Sequence, residues 1–339
     1  MRKCLTILEK ILEGGIFMDV DARKEFWEVL LKAKNESDIA MVNSKIIYPE
    51  KIYRYRSIST RTLNAIAENE IYFSTPSKYD DPFDTYISVN KLAISEQIKK
   101  LNPNSTKTFY EFLENNFSYI PEGIKQKILE SKILSQLKDT TYKLRENIWT
   151  ACFTEKFDNE TMWLKYAKNH EGLVLEYDVK DLKNKTLFLK TDKTEERCIV
   201  NPKLNFYPIY YSDEVYDSTN YALFRTLIYL LEQNPIFYSI IDLLISDGFQ
   251  NWELERILLK KHYVHHYDEE WRLILNNKYT INRKLNPRII IRPSKIILGL
   301  NISPDDKKAV LRVAENAGIE NIEQMIINDN DEFVAEPIK

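Results

Sequence analysis

The stretch Asn159-Glu-Thr-Met-Trp-Leu-Lys-Tyr-Ala-Lys-Asn-His-Glu-Gly-Leu-Val-Leu-Glu-Tyr177 contains a helical pattern followed directly by a strand pattern. Met162, Trp163 and Tyr166 would share one face of a helix over residues 159–169, because side chains three or four positions apart meet on a helix. Gly172 ends this pattern, and the apolar run that follows it predicts a buried strand. The segment therefore predicts a mixed fold in which a short helix leads into a sheet.

The residues on either side continue this mixture of patterns. Strand patterns occupy residues 46–55, 71–73, 86–89, 148–153, 197–211, 271–276, 289–291 and 295–300. Helical patterns occupy residues 21–34 (with Asp21 as the cap), 59–67, 91–146, 219–245 and the segment that follows Ser303. Because the two kinds of element are interleaved without strict alternation, we predict an α+β fold with a mixed, mostly antiparallel sheet and flanking helices.

Three segments are expected along the chain. Residues 1–45 form an N-terminal helical extension, in which Met18 is an alternative start to Met1. Residues 46–300 form the α+β domain, with a helical insertion at 91–146. Residues 301–339 add a helix and a strand that pack on the same domain.

Composition removes several classes of function. The chain has 339 residues, a formal net charge of −3 and 7 glycines. This charge gives no signal for nucleic-acid binding, and so few glycines argue against a glycine-rich phosphate loop. The 3 cysteines are widely spaced, so we predict no metal site and a reducing, cytoplasmic location. No apolar run reaches the roughly 18 residues of a membrane span, so no membrane partner is expected.

The segment Tyr53-Arg54-Tyr55-Arg56 combines aromatic and cationic residues in alternation. On a strand, Arg54 and Arg56 would share one face, since side chains alternate with a period of two. Paired guanidinium groups suit a phosphate or carboxylate, whereas a solvated edge strand is the alternative.

The segment from Tyr72 to Asp84 is predicted to leave a strand and enter a polar loop at Pro76. Ser74 and Thr75 stand where the strand ends. For Asp80, Asp81 and Asp84 we favour turn formation, or pairing with Arg54 or Arg56, over a cation site.

The segment Asp268-Glu269-Glu270-Trp271-Arg272 predicts a strand with Glu270 and Arg272 on one face. Such a pair is either structural or a catalytic carboxylate with its orienting cation. His170 lies in a polar turn before a strand and is a candidate general acid or base, although a structural turn residue is the simpler alternative. Cys152 is predicted to be a buried, inert thiol.

Five ordered motifs together resemble DUF2971, a bacterial domain family of unknown function. The matching stretches are residues 53–56, 73–84, 152–154, 162–172 and 261–272. The chain departs from the family pattern at Tyr79-Asp80, where Phe-Asn is usual, at His265, where tryptophan is usual, and at Asp268, where glutamate is usual. The resemblance implies a bacterial protein of the accessory, toxin-like or phage-defence kind, without an established activity.

The order of the polar segments is also similar to that of ADP-ribosyltransferases, which use NAD. By this analogy the arginines would hold the pyrophosphate, and Glu270 would stabilise an oxocarbenium-like centre. The alternative is a non-enzymatic module that binds a nucleotide-like or other small anionic ligand. We expect one cavity, with Glu270 and His170 as catalytic candidates. The ligand-binding candidates are Arg54, Arg56, Tyr72, Ser74, Thr75, Asp81, Trp163, Tyr166, Lys261 and Arg272.

Overall fold

The computed structural model describes most of the chain between residues 18 and 338. The described residues are 18–34, 36–90, 131, 135, 139–184, 187–190, 198–200, 205–219, 221–222, 225, 252–275 and 287–338. The helices are α1 (Val20–Lys32), α2 (Ile39–Asn43), α3 (Thr60–Ala67), α4 (Glu160–Tyr166), α5 (Val179–Asn184), α6 (Glu253–Leu258) and α7 (Pro304–Asn316). A further helical stretch covers 139–147. Short 3₁₀ helices cover Glu36–Asp38, Pro76–Lys78 and Tyr263–Asp268.

Within the described ranges, the strands form one large and two small sheets. They are β1 (Lys51–Arg56), β2 (Glu70–Tyr72), β3 (Trp149–Thr154), β4 (Leu173–Asp178), β5 (Leu187–Lys190), β6 (Cys198–Val200), β7 (Phe206–Pro208), β8 (Tyr210–Ser212), β9 (Lys260–His262), β10 (Glu270–Leu275), β11 (Arg288–Ile290), β12 (Lys295–Leu298), β13 (Ile322–Ile327) and β14 (Phe333–Pro337). The large sheet has the order β14-β13-β12-β4-β1-β3-β10-β7. Its strands are antiparallel except for the β12–β13 pair. The predicted α+β fold with a mostly antiparallel mixed sheet is therefore confirmed.

The two faces of the large sheet bury different clusters of side chains. Alternation along β3 and β10 directs Phe153 and Trp271 to the main core, which α1 covers with Phe26 and Leu30. The opposite face carries a smaller cluster, in which Tyr55 of β1 packs against Trp163 of α4. Helix α4 begins after Asn159, whose side chain accepts a hydrogen bond from the backbone N–H of Met162.

The pairing between β1 and β3 is very short. β1 pairs with β4 along its whole length, but with β3 through the Tyr53–Thr154 pair alone. Near its start, β3 instead bridges to the loop after β2, where Ser74 and Thr150 exchange two backbone hydrogen bonds of 2.8 and 2.9 Å. The loop after β2 thus lies between the start of β3 and β1, and the gap that it leaves between these strands provides room for a cavity.

Some local predictions need correction. The cap of α1 is Asp19, whose side chain accepts from the N–H of Ala22, because the helix begins before Asp21. Residues 86–89 form no strand, since their contact with the sheet system is the single bridge Ser88–Asp217. The expected pair of strands over 197–211 is replaced by β6, β7 and the start of β8.

Several predictions fall on residues that the structure does not describe. These are the extension before residue 18, residues 91–130 of the predicted insertion and most of the predicted helix at 219–245. The end of the insertion, 139–147, is helical. The three-part division of the chain stays a prediction. Among the described residues, no helix has both the length and the apolar character needed to cross a membrane.

Candidate functional site

A cavity of about 610 Å³ lies at the opening between β1 and β3. Its walls come from β1, β3, β10, α4 and the loop after β2. The lining residues are Tyr53, Arg54, Tyr55, Arg56, Ser74, Lys78, Tyr79, Asp80, Asp81, Asp84, Thr150, Cys152, Phe153, Thr154, Met162, Lys165, Tyr166, Lys261, His265, Asp268 and Glu270. By strand register, Arg54 and Arg56 arise on the core face of the sheet and Glu270 on the other. The opening lets both sets reach one cavity.

Arg54 and Arg56 form one side of this cavity, which we call the arginine wall. Arg54 is 7% exposed, and its guanidinium lies 5.2 Å from the centre of the Phe153 ring. Its Nη2 donates a long hydrogen bond of 3.4 Å to the carbonyl oxygen of Tyr72, and its Nε has no partner among the described residues. Arg56 donates from Nη1 to the carbonyl oxygen of Tyr55 at 3.2 Å.

Neither arginine of the wall forms an ion pair with a carboxylate in the part of the chain that the structure describes. Burial, together with the charge of Arg56, lowers the pKa of Arg54 to about 9. Burial also lowers the pKa of Arg56. With a pKa of about 9, Arg54 still carries a proton at neutral pH. Two like charges held out of water are unfavourable, and a bound anion would remove much of that cost.

The opposite side of the cavity contains a buried ionic cluster of Asp84, Lys261, Asp268, Glu270 and Arg272. Arg272 donates to both carboxylate oxygens of Asp84 at 2.9 and 2.5 Å, and from Nε to Glu270 at 2.6 Å. Lys261 Nζ donates to Asp268 at 2.5 Å and to Glu270 at 3.0 Å. Each cation therefore bridges two carboxylates, and both oxygens of Glu270 are engaged.

The ionic cluster controls the protonation of its members. Burial alone would raise the pKa of Glu270, but Arg272 and Lys261 hold that pKa well below its usual range. Burial alone would lower the pKa of Lys261, but the surrounding carboxylates hold it well above its usual range. For Asp268 the burial effect dominates and raises the pKa. Three carboxylates face two cations, so the fully ionised cluster keeps one uncompensated negative charge.

Tyr79 and Cys152 lie between the two charged regions. The Tyr79 hydroxyl contacts Thr150 Oγ1 and lies 3.2 Å from Cys152 Sγ, while the Arg272 guanidinium covers the Tyr79 ring at 5.3 Å. Burial, and next the charge of Glu270, raise the pKa of the Cys152 thiol to about 12. A thiol with so little thiolate is a poor nucleophile, which agrees with the inert role expected for Cys152.

The loop that carries Tyr79 is fixed from several directions. Arg145 donates hydrogen bonds to the carbonyl oxygens of Pro76, Asp81 and Pro82. Asp81 Oδ1 accepts from the N–H of Phe83 at 2.8 Å, as its predicted turn role requires. His265 Nε2 lies 3.2 Å from Asp81 Oδ2. The loop is thus held against the cavity by its backbone as well as by its side chains.

Seven of the predicted site residues line the cavity: Arg54, Arg56, Ser74, Asp81, Tyr166, Lys261 and Glu270. Arg272 has no exposed surface and acts from behind Glu270 and Asp84. The expected pairing of Asp84 with Arg54 or Arg56 is wrong, because Asp84 binds Arg272.

Trp163 and His170 are not among the residues that line the cavity. The Trp163 indole is fully buried and donates to the carbonyl oxygen of Phe157 at 2.7 Å. The His170 ring stacks on Trp163 at 5.8 Å and meets Phe333 edge-on. His170 also has a positive φ of 65°, and its carbonyl oxygen accepts from the N–H of Asn301 at 2.9 Å. This environment corresponds to the structural-turn alternative.

Tyr72 and Thr75 also lie outside the cavity lining. Tyr72 belongs to β2 in the second sheet, where the guanidinium groups of Arg61 and Arg288 approach its ring at 4.8 and 5.6 Å. The buried Thr75 hydroxyl lies 2.8 Å from Ser77 Oγ. The neighbouring Ser74 reaches the cavity because it pairs with Thr150 at the edge of the opening.

Sequence reasoning missed several members of the site. Tyr79 could have been found because it is an aromatic residue in an otherwise polar loop. Lys165 could have been found because it is next to the candidate Tyr166. Asp268 lies two positions before Glu270, at a position where the family pattern usually has glutamate. Because both residues are carboxylates, Asp268 can take the role of that glutamate in the site. Tyr79 enters the site through contacts that are distant in sequence, with Thr150 and Cys152, whereas Asp268 enters it by pairing with Lys261, seven positions earlier.

Comparison with known proteins identifies one family. Residues 162–273 match the model of DUF2971, described as a protein of unknown function. This segment of the chain is therefore similar to DUF2971. The match runs from α4 to β10, so it includes the ionic cluster apart from Asp84, whereas the arginine wall lies outside it. No curated protein and no solved structure matches the chain.

Proposed function

We propose that this protein binds a small, nucleotide-like anion in the cavity between β1 and β3. The observation that carries the proposal is the arginine wall, in which the buried Arg54 and the half-buried Arg56 lack a carboxylate partner among the described residues. A buried charge without a partner is expensive, so proteins keep one where a ligand supplies the opposite charge. Guanidinium groups match phosphate and carboxylate because they donate two parallel hydrogen bonds.

The remaining lining suits a ligand with a flat ring system. Tyr53, Tyr55, Tyr79, Phe153 and Tyr166 contribute to the walls. Bases stack readily on such rings, with a free energy of about 1–3 kcal/mol per base. The volume of about 610 Å³ falls within the range of small-molecule sites. Phosphate contacts on one side and aromatic contacts around it are together typical of nucleotide recognition.

Isothermal titration with adenosine 5′-monophosphate and with inorganic phosphate tests this proposal. Arg54→Gln and Arg56→Gln should each weaken the binding of both probes by about tenfold or more, since a hydrogen bond to a charged group contributes roughly 1.5–3 kcal/mol. Arg312→Gln, which changes an exposed arginine of α7, is the matched control. Absence of binding, or equal binding by all the variants, would rule out this function.

A second candidate is ADP-ribosyl transfer from NAD, of the defence or toxin type that the sequence suggested. It is favoured by the position of Glu270, a strand carboxylate in the same cavity as two arginines. The bond between nicotinamide and the ribose carbon would break, and nicotinamide would leave with the electron pair. An acceptor nucleophile would bond to that carbon and release a proton. The engagement of both Glu270 oxygens with Arg272 and Lys261 weighs against this role.

Incubation of the protein with labelled NAD and a cell extract separates the two candidates. An enzyme would release nicotinamide and transfer the label, and Glu270→Gln would abolish both reactions while NAD binding persists. A binding protein would leave NAD intact. Melting of Glu270→Gln must accompany the assay, because a loss of folded protein would also remove turnover.

A further inference from the structure

We infer that Asp268 selects a ligand whose end remote from the anionic group donates a hydrogen bond or carries a positive charge. This inference rests on the proposed function, because it assumes that an anion occupies the arginine wall. The ligand class is a phosphomonoester with an amine, or a ring N–H, at its other end.

The geometry of Asp268 is the first argument. Its residue is 3% exposed and lines the cavity. Lys261 occupies Oδ2 at 2.5 Å, whereas Oδ1 is buried and has no hydrogen-bond partner among the described residues. A buried acceptor without a donor costs about 1–3 kcal/mol, and an amine or N–H of a ligand would satisfy it.

The distribution of charge is the second argument. The arginine wall offers two uncompensated positive charges, while the ionic cluster keeps one uncompensated negative charge. A phosphomonoester carries close to two negative charges at neutral pH and suits the wall. A second anionic group at the far end would face the carboxylates of Asp268 and Glu270 and would be repelled.

The distance between the two regions sets the length of the ligand. β1 and β10 lie on either side of β3 in the sheet order. Two strand spacings amount to about 10 Å between their backbones, and the opening adds to this distance. Long arginine side chains shorten the gap that a ligand must bridge. A mononucleotide or an aminoalkyl phosphate of a few carbons has a suitable length.

Two matched sets of probes test the inference on the unmodified protein. In the first, ω-aminoalkyl phosphates of two to five carbons are compared with alkyl phosphates and ω-carboxyalkyl phosphates of equal length. In the second, adenosine 5′-monophosphate is compared with purine riboside 5′-monophosphate, which has neither the exocyclic amine nor a ring N–H. We expect the amine to bind about tenfold tighter than its partner in at least one set, and the carboxyalkyl phosphates to bind most weakly. The set that shows the preference identifies an alkyl amine or a base amine.

Substitution assigns the preference to its residue. Asp268→Asn should bring the ratio of the paired dissociation constants close to one, whereas Arg54→Gln should weaken both members of a pair alike. Asp329→Asn, at an exposed turn, is the control and should keep the ratio of the unmodified protein. Thermal melting checks folding, and Asp268→Ser replaces Asp268→Asn if the latter unfolds.

The outcomes distinguish the inference from the proposed function. If no phosphate probe binds, the proposed function fails and the inference fails with it. If the probes bind through Arg54 without any preference for the amine, the inference alone is overturned. Loss of phosphate binding in Arg54→Gln together with an amine preference that disappears in Asp268→Asn supports both. If neither Asp268 variant folds, the probe sets on the unmodified protein decide.

Discussion

The ionic cluster and the arginine wall lie in one cavity, yet their buried charges are balanced differently. In the cluster, each cation contacts two carboxylates within the protein, and Arg272 has no exposed surface. In the wall, the cations contact backbone carbonyl groups and an aromatic ring. A charge satisfied within the chain supports the fold, whereas a charge left unbalanced is available to a ligand. Under the proposed function, the wall supplies the cations that bind the anion, whereas the cations of the cluster are already paired within the protein.

Arg272→Met should produce the largest effect, a loss of about 3–5 kcal/mol in the free energy of unfolding. Removal of one member of a buried ion pair leaves Asp84 and Glu270 charged and unsatisfied. Urea denaturation measures this loss, and Arg312→Met is the matched control at an exposed site. A loss below about 1 kcal/mol would mean that the ion pairs of the cluster contribute no more than exposed surface pairs do. The cluster would then not differ from the arginine wall in its contribution to stability.

The second prediction uses pH to isolate Glu270. Its folded-state pKa lies well below the unfolded value of about 4.3, so ionised Glu270 stabilises the fold above pH 4.3. As pH falls toward the folded pKa, the unfolded chain takes up the proton first and this stabilisation is lost. The difference in unfolding free energy between the unmodified protein and Glu270→Gln should be constant from pH 6 to 8 and shrink below about pH 4.

The measurement must compare the unmodified protein with Glu270→Gln because Asp268 also titrates at acidic pH. Its pKa is raised, so its protonation at lower pH favours the folded state and acts in the opposite direction to that of Glu270. Stability curves of the unmodified protein alone would mix the two effects. A difference that grows on acidification would contradict the assignment of Glu270 as the depressed carboxylate.

Arg54→Met should leave the unfolding free energy unchanged or increase it by about 1 kcal/mol, because it removes an uncompensated buried charge. The same change should weaken phosphate binding by about tenfold or more. Denaturation without ligand and titration with phosphate are measured on one preparation. A destabilisation as large as that of Arg272→Met would mean that Arg54 is a structural cation, and the comparison would collapse.

The smallest expected effect concerns Cys152, between the two regions. With its pKa raised to about 12, the thiol should react with iodoacetamide at pH 8 at least about tenfold more slowly than the same residue in the unfolded chain. Mass spectrometry of the peptide that contains Cys152 follows this residue apart from the other two cysteines. Fast labelling in the folded protein would indicate a local environment more open or more cationic than the structure describes.

Local patterns were sufficient to predict the strands that form the site. The alternation in residues 53–56 placed Arg54 and Arg56 on one face, and Glu270 with Arg272 followed the same rule. Among the loop acids, Asp81 takes the turn role expected for it. These features depend on neighbours in sequence, which is why a single chain reveals them.

The features that failed depend on tertiary contacts. The pattern of residues 159–177 is also typical of a functional turn at His170, but Phe333, which is far away in sequence, packs edge-on against the His170 ring. The arginine wall and the ionic cluster reach one cavity because β1 and β3 pair only at Tyr53 and Thr154. The hydrophobic periodicity of the sequence does not predict where this pairing ends. The register between strands, rather than the character of each strand, was the missing information.

The single-pair ladder between β1 and β3 has a mechanical consequence. It divides the large sheet into a five-stranded part, β14 to β1, and a three-stranded part, β3 to β7, whose strands meet at Tyr53 and Thr154. A ligand that contacts Arg54 on the five-stranded part and the surroundings of Glu270 on the three-stranded part would link the two parts of the sheet. Amide hydrogen exchange in β1 and β3 would then slow together on binding, and occupancy of the cavity could be read from the rigidity of the whole sheet.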